Sequence, residues 1–133
     1  MKLLTQLPKV GLLSSLSCLL VSCGEVNVPV SGYIGSERAL GNAKATMEAG
    51  TFEASTVDGL ECKGSYDPLD TAISLKMDVS CNDGRKGLLI VSRTPDLMSG
   101  TAIGKLSDGT RGEFVFGNLT FEQAFGASKT KIR

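Results

Sequence analysis

The chain has 133 residues, carries no formal net charge and contains neither histidine nor tryptophan. Without histidine it can form neither a Ser-His-Asp triad nor a histidine-ligated zinc site, and its balanced charge gives no basic stripe of the kind that binds nucleic acid. A chain of this length forms one small domain, and no nucleic-acid partner is predicted.

Residues 1–22 have the layout of a secretion signal. Lys2 and Lys9 precede an uncharged, largely apolar stretch that ends at Cys23, and this order is typical of a secretory signal peptide. A retained transmembrane helix needs about 20 predominantly apolar residues. The stretch is a weak candidate for one, because Gly11 and several serines interrupt it.

The four residues Leu20-Val21-Ser22-Cys23 resemble the lipobox of bacterial lipoproteins. The resemblance implies signal cleavage between Ser22 and Cys23 and a diacylglycerol thioether on the Cys23 thiol. One acyl chain holds a protein on a membrane only marginally, whereas two or three chains on one residue make the attachment stable. The alternatives are an ordinary signal peptide cut elsewhere, and an anchor at Cys18, where Ser15 stands in place of a large apolar residue.

The residues after Cys23 bear on the membrane that holds the protein. Gly24 and Glu25 follow the cysteine, and neither is the aspartate that would favour retention in the inner membrane by resemblance to enteric sorting signals. The predicted location is therefore the outer membrane of the cell envelope, facing the periplasm. The predicted partner there is membrane lipid, through acylated Cys23.

Residues 23–49 are predicted to form an anchor-proximal segment with an edge strand. Val26, Val28 and Val30 alternate with polar or proline residues, and Pro29 favours an edge because proline donates no hydrogen bond to a neighbouring strand. Residues 39–48 suit either a helix or a strand, and the flanking glycines favour the strand.

Residues 50–126 are predicted to be an antiparallel β domain. Apolar and polar residues alternate over 52–55, 60–66 and 73–81, which is typical of strands with one buried face. Asp-Gly pairs recur every 25 residues, at Asp58-Gly59, Asp83-Gly84 and Asp108-Gly109, and Asp-Gly between alternating runs is a strong hairpin signal. The predicted fold is an all-β meander of six to eight strands, closed as a barrel or folded as a sandwich.

The chain has four cysteines. Cys18 lies in the predicted signal and Cys23 is the predicted anchor, so Cys62 and Cys81 remain. Both fall on the inward face of the alternation, and a lone pair in an exported protein indicates a disulfide. Such a bond would close a loop of about 20 residues and contribute roughly 3 kcal/mol in the chain-entropy model.

The end of the chain is predicted to contain a short helix. Phe114 and Phe116 share the inward face of the last strand, and Thr120 with a glutamine three residues later forms a capping-box pattern. A helix is therefore predicted over 121–125, ending at Gly126. Residues 127–133 are predicted to be a flexible basic tail.

The sequence offers no catalytic residue, metal site or cofactor site. Asp67, Asp70, Asp78 and Asp83 lack the spacing of a calcium loop and are explained as turn or strand residues. The turn at 82–87 contains Arg85 and Lys86, which indicates either a small anion site or a solvated hairpin tip. Most other ionisable strand residues are predicted to lie on the outward face and to be solvated: Glu53, Glu61, Lys63, Lys76, Asp78, Lys105 and Glu113.

Several short motifs between residues 50 and 117, among them Cys62-Lys63-Gly64-Ser65-Tyr66 and Phe114-Val115-Phe116-Gly117, resemble small uncharacterised exported proteins of Gram-negative bacteria. The resemblance implies a β fold with paired cysteines and identifies no functional residue. We expect a non-catalytic envelope module that binds a ligand, a protein or cell-wall polymer. The alternatives are an inhibitor of a cell-wall lytic enzyme and a hydrolase that uses two carboxylates.

Overall fold

The computed structural model describes residues 24–126, which form a closed antiparallel β-barrel of eight strands followed by a short helix. Each strand pairs with the next one along the chain, and the barrel closes where Val30–Ile34 pairs with Gly112–Phe116. The all-β meander is confirmed, and it is a barrel. The elements are β1 (Val26–Ile34), β2 (Glu37–Ala45), β3 (Gly50–Thr56), β4 (Glu61–Tyr66), β5 (Ser74–Cys81), β6 (Lys86–Arg93), β7 (Gly100–Leu106), β8 (Arg111–Phe116) and α1 (Phe121–Phe125).

The segment before residue 50 belongs to the barrel, because β1 and β2 are two of its eight strands. The expected edge strand is therefore corrected: β1 lies between β2 and β8, and only its first four residues pair with β2 alone. Pro29 is the last of these four, and its carbonyl accepts a hydrogen bond from the Gly117 N–H at 3.0 Å. Proline fits here because the β1–β8 ladder, which would need its missing N–H, begins one residue later.

Side chains that alternate along the strands fill the barrel interior. Phe52, Ala54, Phe114 and Phe116 are buried as predicted, and the rings of Phe52 and Phe114 meet edge to face with centroids 5.3 Å apart. Ile73 departs from the predicted register, because β5 begins one residue later and the Ile73 side chain is 50% exposed on the preceding loop.

The predicted disulfide joins Cys62 of β4 to Cys81 of β5, with Cα atoms 3.9 Å apart. The two residues lie directly opposite each other and are both buried in the core. This confirms the inward register that the alternation predicted. The bond crosses a short ladder, since β4 and β5 pair at only three positions.

The three Asp-Gly turns are structurally equivalent. Gly59, Gly84 and Gly109 all have positive φ, between 89° and 100°, a conformation that glycine adopts without steric strain. In each turn the last strand residue both donates a backbone hydrogen bond to the residue four positions on and accepts one from the glycine. The hairpins predicted from the 25-residue spacing are confirmed.

Helix α1 packs on the outer face of the barrel. Its Thr120–Gln123 capping box and its end at Gly126 match the sequence prediction, and the Phe121 ring meets Tyr33 of β1 edge to face at 5.1 Å. On the outer face of β8, Val115 is buried, and Glu113 is only 7% exposed and forms an ion pair with Arg111 at 2.7 Å. The prediction that Glu113 is solvated is wrong, because strand alternation does not reveal whether the outward face of a strand is covered.

Candidate ligand cavity in the barrel

The two ends of the barrel differ in the length of their connections. At the end that we call the closed end, β-strands are joined by residues 35–36, 57–60, 82–85 and 107–110. At the opposite end, which we call the open end, the connections span 46–49, 67–73 and 94–99, and the chain enters β1 there at Val26. The connections at the open end are therefore the longer ones.

An apolar cavity of about 310 Å³ lies inside the barrel at its open end. This volume is at the lower end of the range for ligand pockets, about 300 to 1,000 Å³. Small inward residues on β2 and β7, namely Ala43, Ala45 and Ala102, leave the space that larger side chains would occupy. The rest of the lining is Val26, Val28, Phe52, Tyr66, Pro68, Leu75, Met77, Val91, Arg93, Asp96, Leu97, Met98 and Phe116.

The floor of the cavity is formed by large side chains in the middle of the barrel. Phe52 lines the cavity on one side and contacts Phe114 on the other. Beyond this pair the barrel interior contains a void of about 20 Å³. A separate, more polar depression of about 480 Å³ lies at the closed end, between the turns that carry Asp58, Asp83 and Arg85. The apolar cavity is therefore blind, with its mouth at the open end.

Tyr66 of β4 forms part of the cavity wall. Its hydroxyl donates a hydrogen bond to the Lys44 carbonyl at 3.2 Å, and burial raises its pKa, an effect that the charge of Arg93 partly opposes. Tyr66 lies opposite Gly50 in the β3–β4 ladder. A Cβ atom at Gly50 would lie 2.5 Å from the tyrosine ring, so the ring occupies the space that the missing side chain leaves.

Arg93 places a positive charge at the cavity mouth. Its guanidinium donates hydrogen bonds to the carbonyls of Asp70 and Ala72, with the Nη2 to Asp70 O distance at 2.8 Å. These bonds hold the 67–73 loop against β6. Among residues 24–126 no carboxylate forms an ion pair with Arg93, so its charge is balanced by carbonyl dipoles rather than by an acid.

The 94–99 loop forms the other side of the mouth and is internally braced. Asp96 accepts hydrogen bonds from the Thr94 hydroxyl at 2.6 Å and from the Met98 N–H at 3.0 Å, and both lower its pKa. Leu97, between them, is the one residue other than glycine with positive φ in the described chain, at 65°. Strained backbone of this kind persists where surrounding contacts hold it, and here it directs an apolar side chain to the mouth.

Comparison with known proteins identifies no relative of the chain. No protein-family model, curated protein or solved structure matches the chain. The resemblance to small exported Gram-negative proteins stays a prediction.

Of the predicted site residues, the structure describes Cys62 and Cys81, and both lie apart from the cavity. Ser22 and Cys23 fall outside the described residues, as does the predicted 127–133 tail. The Cys62–Cys81 bond lies in the filled half of the barrel, where Cys62 borders the small void behind Phe52. Within residues 24–126 no helix has the length and apolarity to span a membrane.

The 82–87 turn, weighed in the sequence as an anion site, belongs to a cross-turn ion network at the closed end. Arg85 pairs with Asp83 at 2.8 Å and with Asp108 of the neighbouring turn at 3.0 Å. Two carboxylates therefore already neutralise the guanidinium. No group of three or more His, Cys, Asp or Glu side chains in the described part of the chain is arranged to hold a metal ion.

Sequence reasoning missed the cavity because it has no motif. The sequence feature that could have indicated the cavity is the pair of small residues Ala43 and Ala45. The same alanines made residues 39–48 compatible with a helix as well as a strand. On a strand that faces a barrel interior, consecutive inward alanines leave unfilled volume unless large residues of other strands reach across.

Proposed function

We propose that the protein is a non-catalytic, membrane-anchored binding module of the cell envelope that takes the apolar part of one small molecule into the barrel cavity. The observation that carries the proposal is the blind apolar cavity of about 310 Å³ at the open end. Concave, mostly apolar sites with a few polar groups at defined positions are the usual form of ligand pockets, and eight-stranded barrels have an interior just wide enough for one small ligand.

The polar groups at the mouth indicate the class of ligand. The apolar floor and walls suit a hydrocarbon or aromatic body, and Arg93 suits an anionic or strongly polar head that stays near the opening. Arginine presents several N–H donors in a fixed plane, which favours carboxylate and phosphate groups. We therefore propose an amphipathic ligand whose apolar part enters first and whose head lies beside Arg93.

The other two functions considered from the sequence have less support. A hydrolase needs two carboxylates in one cleft whose environments push their pKa values apart. Asp96 is the single carboxylate that lines the apolar cavity. Three acids, Glu37, Asp58 and Asp83, line a shallow depression at the closed end, but Asp83 there is already paired with Arg85. An inhibitor needs a loop that can enter a foreign active site. The longest connection, residues 67–73, is instead held to β6 by the Arg93 hydrogen bonds.

The experiment that tests the proposal is a titration of the processed protein with anilinonaphthalene sulfonate, an aromatic anion whose fluorescence rises in apolar surroundings. Ala43→Phe places a ring inside the cavity, and we expect it to weaken binding at least about tenfold, equivalent to 1.4 kcal/mol. Thr51→Phe adds the same ring at an exposed position of β3 and should bind as the unaltered protein does. Equal affinity for both variants would refute the cavity as the binding site.

A further inference from the structure

The open end of the barrel carries a ring of exposed apolar side chains. Each of its three loops and the start of β1 contribute to this ring, which we call the apolar rim. Its members and their exposed fractions are Val26 at 44%, Met47 at 73%, Leu69 at 62%, Ile73 at 50% and Met98 at 42%. All five lie at the end of the barrel where the cavity opens, and Val26 and Met98 also line the cavity.

The closed end has the opposite character. Its turns carry Asp58, Asp83, Arg85 and Asp108, and three of these form the cross-turn ion network. Its connections contain two large apolar residues: Leu60 packs against the core, and Val57 is 99% exposed. The two ends of the barrel thus differ in their exposed large apolar side chains, which are concentrated in the connections of the open end.

The chain leaves the barrel toward Cys23 at the apolar rim. Val26 begins β1 and belongs to the rim, and it is three residues from Cys23 along the chain. Three residues span at most about 10 Å. Any acyl chains on Cys23 would therefore enter a bilayer within about 10 Å of the rim, too close for the barrel to stand far from the surface.

The charges around the rim select the kind of surface. The open-end loops and the segment before β1 carry Glu25, Glu48, Asp67, Asp70 and Asp96, against Lys44 and Arg93 at the neighbouring strand ends. This excess of acids disfavours attraction to anionic headgroups. A membrane that binds the rim must therefore do so by burying its apolar side chains, which the interface of a zwitterionic bilayer can do without electrostatic attraction.

We infer that the apolar rim is a membrane-docking surface that seats the cavity mouth on a zwitterionic bilayer. Met47, Leu69 and Met98 enter the boundary between headgroups and acyl chains, and the closed end points away from the membrane. The identity of the ligand rests on the proposed function of the cavity. A cavity whose mouth lies on the bilayer takes up a single acyl chain of a membrane lipid directly, without exposing the chain to water.

The experiment uses the absence of tryptophan from the chain, so that one introduced tryptophan is the only such fluorophore. Leu69→Trp and Met98→Trp report on the rim, and Val57→Trp reports on the closed end as the matched control. Each variant is expressed from the whole 133-residue chain, purified from membranes and reconstituted into phosphatidylcholine vesicles with bromine on the acyl chains. We expect severalfold stronger quenching at 69 and 98 than at 57.

A second arm separates apolar docking from electrostatic docking. Raising the salt from 0.1 M to 1 M shortens the screening length from about 10 Å to about 3 Å and should leave the quenching at 69 and 98 unchanged. Replacing a third of the zwitterionic lipid by phosphatidylglycerol should weaken it. Equal quenching at all three positions, or quenching that requires anionic lipid and is lost at high salt, would overturn the inference.

The outcomes also separate this inference from the proposed function. If the purified protein lacks acyl mass on Cys23, the proposed anchor fails, and the quenching of protein mixed with vesicles still decides whether the rim docks. If docking is seen but Ala43→Phe binds the aromatic anion normally, the cavity proposal fails and the docking surface stands.

Discussion

Gly50 and Tyr66 show how a single residue shapes the cavity wall. We predict that Gly50→Ala lowers the free energy of unfolding by about 1 to 3 kcal/mol, which is typical of overpacking, because the new Cβ would lie 2.5 Å from the Tyr66 ring. The displaced ring should also weaken binding of anilinonaphthalene sulfonate. Urea unfolding and the fluorescence titration measure the two effects.

A double variant provides the control for this prediction. Tyr66→Leu removes the ring, so adding Gly50→Ala to it should cost much less than Gly50→Ala alone. Such coupling is expected for residues in direct contact. Additive effects of the two substitutions would contradict the packing argument.

Asp108 at the closed end makes stability depend on pH. Hydrogen bonds from Thr110, together with the Arg85 guanidinium, lower its pKa from 3.8 to about 2. A lowered pKa in the folded state contributes stability above the unfolded value, and this contribution is lost as the pH falls through the folded value. We predict that Asp108→Asn lowers the urea midpoint at pH 5 and that its deficit shrinks toward zero as the pH approaches about 2.

The Arg85 side chain is the control for the pH prediction. The pKa of Asp83 is lowered chiefly by its hydrogen bonds with Arg85, so both acids depend in part on this residue. In an Arg85→Met background, Asp108→Asn should have a smaller effect at pH 5. A deficit of Asp108→Asn that is independent of pH would show that its ionised form is not what stabilises the turn.

At the scale of elements, the contact between β4 and β5 is the weakest ladder of the barrel. These strands pair at three positions, whereas the other neighbouring strands pair at five or more. The disulfide crosses this ladder, so we predict that replacing both Cys62 and Cys81 by Ala costs roughly 2 to 4 kcal/mol. Amide hydrogen exchange should accelerate most in β4 and β5, and uniform acceleration over all strands would contradict the local role.

The element that the sequence described least well is the outer face of β8. Its alternation correctly put Phe114 and Phe116 inside, and the capping box of α1 was correctly read from Thr120 and Gln123. The pattern did not show that this outer face is covered: Val115 and Glu113 are buried on it, and α1 packs on the neighbouring strand β1 through Phe121 and Tyr33. Local patterns describe each element, and they do not say which element lies on which face.

For the whole molecule, the predicted anchor at Cys23 decides where the barrel acts. Cys23→Ser removes the only thiol of the predicted lipobox, so we expect loss of labelled palmitate and either an uncleaved precursor or released soluble protein. Ser22→Thr, which keeps a small hydroxyl residue before the cleavage point, is the control and should still be labelled. Normal labelling of Cys23→Ser would contradict the anchor, and fractionation of the unaltered protein into the inner membrane would contradict the outer-membrane prediction alone.

The sequence by itself determined the features that depend on near neighbours along the chain. The alternation gave an inward face to residues 52–55, 60–66 and 73–81 and placed Cys62 and Cys81 on it, which supported the pairing already indicated by the cysteine count. The Asp-Gly pairs located three turns because positive φ is a local requirement. Only the tertiary structure decided that β1 closes on β8, and that Ala43, Ala45 and Ala102 face a space no large side chain fills. The reason is physical: periodicity tells which side of its own strand a residue occupies, whereas closure and empty volume depend on what distant strands place opposite it.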